Sequence, residues 1–129
     1  MDIAKYARGI VLRHSEGVLL ERLAISMEGW VPTAGNCHGN VDRFVLANPT
    51  YRYVRGYLVF DTGSGNWRIV AHSVLMDPNG TMFDVTPPWR CERYPFVRHV
   101  GHDDDFLIMA KEECVDLYAV DIPSIHPTK

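Results

Sequence analysis

The chain has 129 residues, is 47% hydrophobic and carries a formal charge of −3. That suits a single domain, 1–129, whose core needs no covalent staples, and the charge gives no electrostatic footing for nucleic acid. Three cysteines, Cys37, Cys91 and Cys114, at irregular spacing argue against a disulfide framework or a CxxC metal knuckle, and point to a reducing, cytoplasmic setting. No window reaches about 18 apolar residues, so no membrane span is expected. Residues 1–13 carry Asp2, Lys5, Arg8 and Arg13 without a long apolar stretch, so they do not read as a signal peptide.

Residues 2–27 read as helical. Ile3, Tyr6, Ala7, Ile10 and Val11 recur at intervals of three and four. Two readings stay open: one helix runs through Ser15-Glu16-Gly17, or these residues break the pattern and Ser15 caps a second helix through Val18, Leu19, Leu20, Leu23 and Ile25. Residues 28–36 are a loop by composition. From Cys37 the spacing predicts a helix with Val41, Phe44 and Val45 inward, closed by Asn48-Pro49 because the residue before proline disfavours helix. Cys37 then stands where a loop becomes a helix. Unpaired N–H groups and the positive end of the dipole there favour a thiolate. Its neighbours Asn36, His38, Gly35 and Gly39 are unlike the apolar surroundings of a structural cysteine. Cys91 and Cys114 have no such setting and read as structural.

Residues 51–60 read as a strand, with Gly56 marking a bulge or the close approach of another backbone. A turn over Asp61–Asn66 leads to a hairpin at 67–87, so three consecutive strands form an antiparallel meander. Pro78-Asn79-Gly80 supplies the chemistry of a three-residue loop. That length sets Asp77 opposite Thr81 and His72 opposite Thr86, with Asp84 the diagonal neighbour of His72 on the same side of the sheet. A two-residue loop would put His72 and Asp84 on opposite sides. Phe96–Val100 reads as a further strand with Pro95 at its start. Asp103-Asp104-Asp105 reads as a solvated turn or helix N-terminus. A short helix over 106–112, a strand over 114–121 and a frayed tail at 123–129 follow.

In chain order the sequence offers a thiol at a helix start, an imidazole on a strand and a carboxylate on the next strand. A thiolate attacks an acyl carbon, an imidazole moves the proton, and a carboxylate fixes the ring and its charge. The backbone N–H of Cys37 is placed to help hold an oxyanion.

Gly35-Asn36-Cys37, Val54-Arg55-Gly56-Tyr57, His72-Ser73-Val74, Gly80 and Asp84-Val85-Thr86-Pro87 together resemble the core of transglutaminase-like proteins in the papain-like cysteine-enzyme superfamily. The resemblance spans about residues 30–87. It implies an α+β, papain-like (cysteine proteinase-like) fold with N-terminal helices packed on an antiparallel sheet. It also implies a Cys37–His72–Asp84 triad, and no cofactor. Trp30 stands where such enzymes can place a tryptophan near the oxyanion, or else in the core. Asn40 is a second candidate for orienting substrate, or else for bonding the helix's first turn. The chain departs from the family at Val74 and Met76, where an aromatic and a glutamate often stand, and in having no glutamine before Cys37 at the papain-like spacing.

The expected function is therefore that of a thiol hydrolase or acyltransferase acting on an amide, ester or thioester, such as a peptidase, deamidase or transglutaminase-like enzyme. Its partner would be a protein or peptide substrate, with no nucleic acid and no membrane. The alternative is a non-catalytic papain-like binding module. A metal site from Cys37 and His38 with His72, His99 or His102 is disfavoured, because adjacent ligands rarely point at one ion and zinc-like spacing is absent.

Overall fold

The computed structural model describes residues 2–88, 93–112 and 114–118. Cys91 and the expected tail at 123–129 lie outside the described residues.

Helix α1 spans Ile3–Leu12 and buries Ala7, Ile10 and Val11. Asp2 caps it by accepting the Lys5 N–H at 3.1 Å. Neither a continued helix nor a second one forms after Ser15. His14–Glu16 make one 3-10 turn, and the chain then runs extended. Val18 exchanges both backbone hydrogen bonds with Phe96. Strand β1, Glu21–Arg22, lies parallel to strand β4, Met82–Asp84. The Leu23 N–H continues this contact onto the Asp84 carbonyl at 3.0 Å. The reason lies in Leu23-Ala24-Ile25-Ser26-Met27, which alternates inward and outward with period two. The apolar residues just before it imitate a helical stripe, but the extended form is the one that satisfies its backbone against two other segments.

Helix α2, Cys37–Ala47, has the expected start and end, and it buries Asn40, Val41 and Phe44. The meander also forms as expected. Strand β2, Arg52–Asp61, pairs along its whole length with strand β3, Asn66–Met76. Strand β5, Phe96–Arg98, joins the outer edge of β2. Helix α3 spans Asp103–Ala110, with its three aspartates in the first turn. Strand β6, Val115–Tyr118, pairs with the first residues of β3. The sheet of the described residues runs β1-β4-β3-β2-β5, with β6 sharing the β4 edge of β3.

Alternation along the strands sorts the core into two sides. Tyr57, Val59, Ile69, Val97 and Leu75 face the three helices. Val54, Val74 and Phe96 face the other way, covered by Leu20, Leu58, Met76 and Met82. The architecture is thus α+β, with all three helices on one side of the sheet.

One feature of the sheet positions the site. The β4 edge of β3 is paired by β6 at 66–69 and by β4 at 75–76. Among the described residues, 70–74 have no strand partner on that edge. His72 and Ser73 lie in this window.

Gly56 is the close approach that the sequence signalled. A Cβ there would collide with the Phe96 ring and the Val97 carbonyl on β5. We expect Gly56→Ala to lower stability by about 1–3 kcal/mol, as overpacking does. Gly9→Ala, on an open part of α1 with nothing within 4 Å, should raise it by about 0.8–1 kcal/mol. Chemical denaturation of the two variants checks both signs.

Candidate active site

Cys37 is the first residue of α2. The first backbone bond of the helix joins the Asn40 N–H to the Asn36 carbonyl at 2.8 Å. The N–H groups of Cys37, His38 and Gly39 therefore precede the helical ladder and point out of its end. Gly35, at φ +75°, turns the chain into this start. The Asn36 carboxamide lies over Gly39, at 2.5–2.9 Å from where a Cβ would stand. The space beside Gly39 is thus filled by Asn36 and is not an open approach for substrate.

The hairpin delivers the other two groups. Leu75 pairs with Phe83 and Met76 with Met82, and the Asp77 N–H reaches the Thr81 carbonyl at 2.9 Å. The loop is therefore Pro78-Asn79-Gly80, with Gly80 at φ +85°. The Asp77 carboxylate holds the loop by accepting the N–H groups of Asn79 and Thr81, both at 2.9 Å. This register places Asp84 on the side of His72, and Nε2 of the imidazole meets Oδ2 of Asp84 at 3.0 Å. Asp84 also accepts the Thr86 N–H at 3.2 Å through its other oxygen. Both side chains are largely buried, 11% and 16% exposed.

Nδ1 of His38 lies 3.7 Å from the Cys37 sulfur, and the His72 imidazole is close enough to act on the thiol's charge. With Nε2 of His72 taken by Asp84, the nitrogen left for the thiol is Nδ1. Burial pushes the Cys37 thiol up, but hydrogen bonding to His38 and His72 and the charge of His72 outweigh it and bring it down to about 6. Burial pulls the His72 imidazole down, and Asp84 and Cys37 outweigh that and lift it to about 9. Burial raises the Asp84 carboxyl, while His72 and the Thr86 N–H hold it below its ordinary value. Each group favours the charged form of its neighbour, so a thiolate–imidazolium pair is the stable form between these limits.

On the side away from the helices, His72 and Asp84 open onto a cleft of about 40 Å³, lined by Leu58, Val74 and Phe96, with Arg22 and Arg93 beside them. That is room for about three waters, not for a substrate.

The remaining candidates are placed differently. Asn40 is 1% exposed. Its carboxamide donates to the Thr33 carbonyl at 2.8 Å and to Thr86 Oγ1 at 3.1 Å, and accepts the Thr33 N–H at 3.1 Å. It ties the loop before Cys37 to the segment after Asp84, and its polar atoms are committed to that task. Trp30 packs against the Val41, Phe44, Leu75 and Val85 cluster, under the Arg43 guanidinium at 5.3 Å.

His99 is held by the hydroxyls of Tyr6 and Tyr57, each at 3.1 Å. Among the described residues no three His, Cys, Asp or Glu side chains are grouped to hold a metal. No helix of the described residues is long and apolar enough to cross a membrane.

Sequence reasoning gave no role in the site to Ser73 or Arg55, and it weighed His38 only as a metal ligand. Nδ1 of His38 lies 3.7 Å from the Cys37 sulfur and 2.5 Å from Ser73 Oγ, which also accepts from Arg55 at 2.8 Å. The one available signal was strand alternation, which puts Ser73 and Arg55 on the helix side of the sheet.

No protein-family model, no curated protein and no solved structure matches this chain. A functional reading therefore stands on the geometry and chemistry of the site.

Asp84→Asn removes the charged partner of His72 and should cost about 1.5–3 kcal/mol of stability. The folded-state pKa of His72 lies above its unfolded value of 6.5. Its contribution is therefore complete below 6.5 and is lost as pH rises through about 9. Asp84 is shifted down, so its contribution is present above its unfolded value of 3.8 and is lost as pH falls through the lower folded value. Denaturation curves of the protein and the variant should lie furthest apart between pH 3.8 and 6.5, where both contributions are complete, and converge toward both extremes.

Proposed function

We propose that this chain is a cysteine-dependent hydrolase or acyltransferase acting on an amide, ester or thioester, built as a small papain-like, transglutaminase-like domain. The observation that carries this reading is an imidazole held through Nε2 by a buried carboxylate and close enough to a helix-start thiol to lower it.

The chemistry follows from the placement. The Cys37 thiolate attacks the acyl carbon, forming a C–S bond. The carbonyl oxygen gains negative charge opposite the free N–H groups at the start of α2. As the tetrahedral species collapses, the bond to the leaving group breaks and the His72 imidazolium gives that group its proton. Water or an amine then attacks the thioester. His72 takes its proton, the C–S bond breaks and the thiolate returns. Asp84 holds the ring and its charge throughout. Hydrolysis and acyl transfer differ only in the second nucleophile.

The absence of a substrate-sized cavity at the His72–Asp84 cleft supports an extended peptide or an exposed side chain as the acyl donor, met at the protein surface. A cytoplasmic setting fits a nucleophile that needs its thiol reduced.

The test is covalent. An activated ester should leave an acyl group on Cys37, seen by mass spectrometry as a mass gain on the peptide that carries it. Iodoacetamide should label Cys37 far faster than Cys91 and Cys114, down to about pH 6. The rate of acyl turnover should be bell-shaped, with limbs near 6 and near 9. His72→Ala should lower turnover by about 10²–10⁴-fold. If Cys37 labels no faster than an ordinary thiol, the chain is a scaffold without this chemistry and its partners are binding partners.

A further inference from the structure

His38 lies 3.7 Å from the Cys37 sulfur and His72 is close enough to act on its charge, yet the electrical surroundings of the two imidazoles are opposite. His72 faces the carboxylate of Asp84. His38 faces Ser73, and behind Ser73 stands the Arg55 guanidinium. Arg55 is itself well held. Its NH1 donates to Ser73 Oγ and its NH2 to Asp42 Oδ1, both at 2.8 Å, and its guanidinium lies 4.1 Å from the Tyr53 ring centre. The fourth neighbour of His38 is the apolar edge of Phe106 on α3, with ring centres 5.4 Å apart. Arg55 also pairs with Asp42, and its ring partner Tyr53 donates to Asp103 at the acidic start of α3, but it is the guanidinium that is turned toward Ser73.

The hydrogen-bond count at Ser73 fixes the direction of the chain. Ser73 is fully buried. A guanidinium only donates, so Ser73 Oγ must accept from Arg55. The other polar contact of its hydroxyl is Nδ1 of His38, at 2.5 Å. If Nδ1 carried a proton, the buried Ser73 O–H would have no acceptor among these contacts. The satisfied arrangement has Ser73 donating to an unprotonated Nδ1, which leaves His38 neutral with its proton on Nε2. A second positive charge on His38 would also stand beside Arg55.

We propose that Arg55, acting through Ser73, is a positioning residue that decides which imidazole receives the thiol's proton. Asp84 draws the proton to His72, and the Arg55–Ser73 arm keeps it off His38. With Nδ1 of His38 committed as an acceptor, its contact with sulfur is bonding only while sulfur carries the proton, and the share of the thiol's lowering that would need a bond donated by His38 does not operate in this arrangement. Holding the thiolate therefore falls to His72, which is also the group with a carboxylate behind it and hence the competent acid for the leaving group. This inference rests on the thiol chemistry proposed above and assigns its proton path.

The experiment reads ring charge directly, by long-range nitrogen–proton NMR of the histidine side chains in the full chain. At neutral pH His72 should be an imidazolium and His38 neutral with its proton on Nε2. In Arg55→Met, where Ser73 is free to accept from Nδ1, the proton of His38 should no longer be fixed on Nε2 and both tautomers should be seen, and Arg55→Lys should restore the single one. Ser73→Ala, a small change on a strand, should release the tautomer of His38 even if Arg55→Met does not fold. In His72→Ala the low-pH labelling of Cys37 should vanish although His38 remains, whereas His38→Ala should keep it. A charged His38 in the native protein at neutral pH, or a His72→Ala variant whose thiol still labels fast at pH near 6, overturns the assignment. Those outcomes differ from failure of the broader reading, in which Cys37 labels as an ordinary thiol in the native protein itself.

Discussion

The site depends on the length of one loop. Side chains alternate along a strand, so an odd loop between β3 and β4 puts His72 and Asp84 on one side of the sheet and an even loop would separate them. Pro78, Asn79 and Gly80 make it odd, and Asp77 locks it by accepting two loop N–H groups. The 3.0 Å contact between His72 and Asp84 follows from that register. So does the electrostatics, because a partly buried imidazole without its carboxylate would be neutral under the same burial.

The second constraint is a gap. β3 is fully paired with β2, but its other edge is shared between β6 and β4, leaving 70–74 without a strand partner among the described residues. The first turn of α2 occupies this window. His38 bonds Ser73 there, and the Cys37 thiol reaches His72, although α2 packs on the side of the sheet opposite to the one His72 faces. A continuous ladder at 70–74 would have closed that route. Asn40 fixes the arrangement from below by joining the loop before the helix to Thr86 just after the hairpin.

Charge is distributed around the sulfur with the same economy. One imidazole has an anion behind it and the other a hydroxyl backed by a cation. Two like groups thereby have unequal surroundings, and such differences are what assign acid and base roles in a site. The groups that do this come from α2, β2, β3 and β4, so the chemistry is a property of the sheet and the helix end together.

The sequence alone determined the features whose causes are local. The helix from Cys37 to Ala47 is set by its apolar spacing and the Asn48-Pro49 stop, and the hairpin register by three loop residues. The close approach at Gly56 was legible in one glycine inside a strand. With these, the three members of the candidate triad were legible as well. Only the tertiary structure decided what depends on distant pairing. Leu20 to Ile25 carry both a helical and an alternating reading, and the contacts of Val18 with Phe96 and of β1 with β4 chose the extended one. Asn40 and Trp30 stand near Cys37 in sequence, but the partners that occupy them, Thr86 and the Arg43 side of α2, are contacts no local pattern announces. The Arg55–Ser73–His38 arm joins β2, β3 and α2. Its direction comes from counting donors and acceptors in a buried space, which exists only once the chain has closed around it.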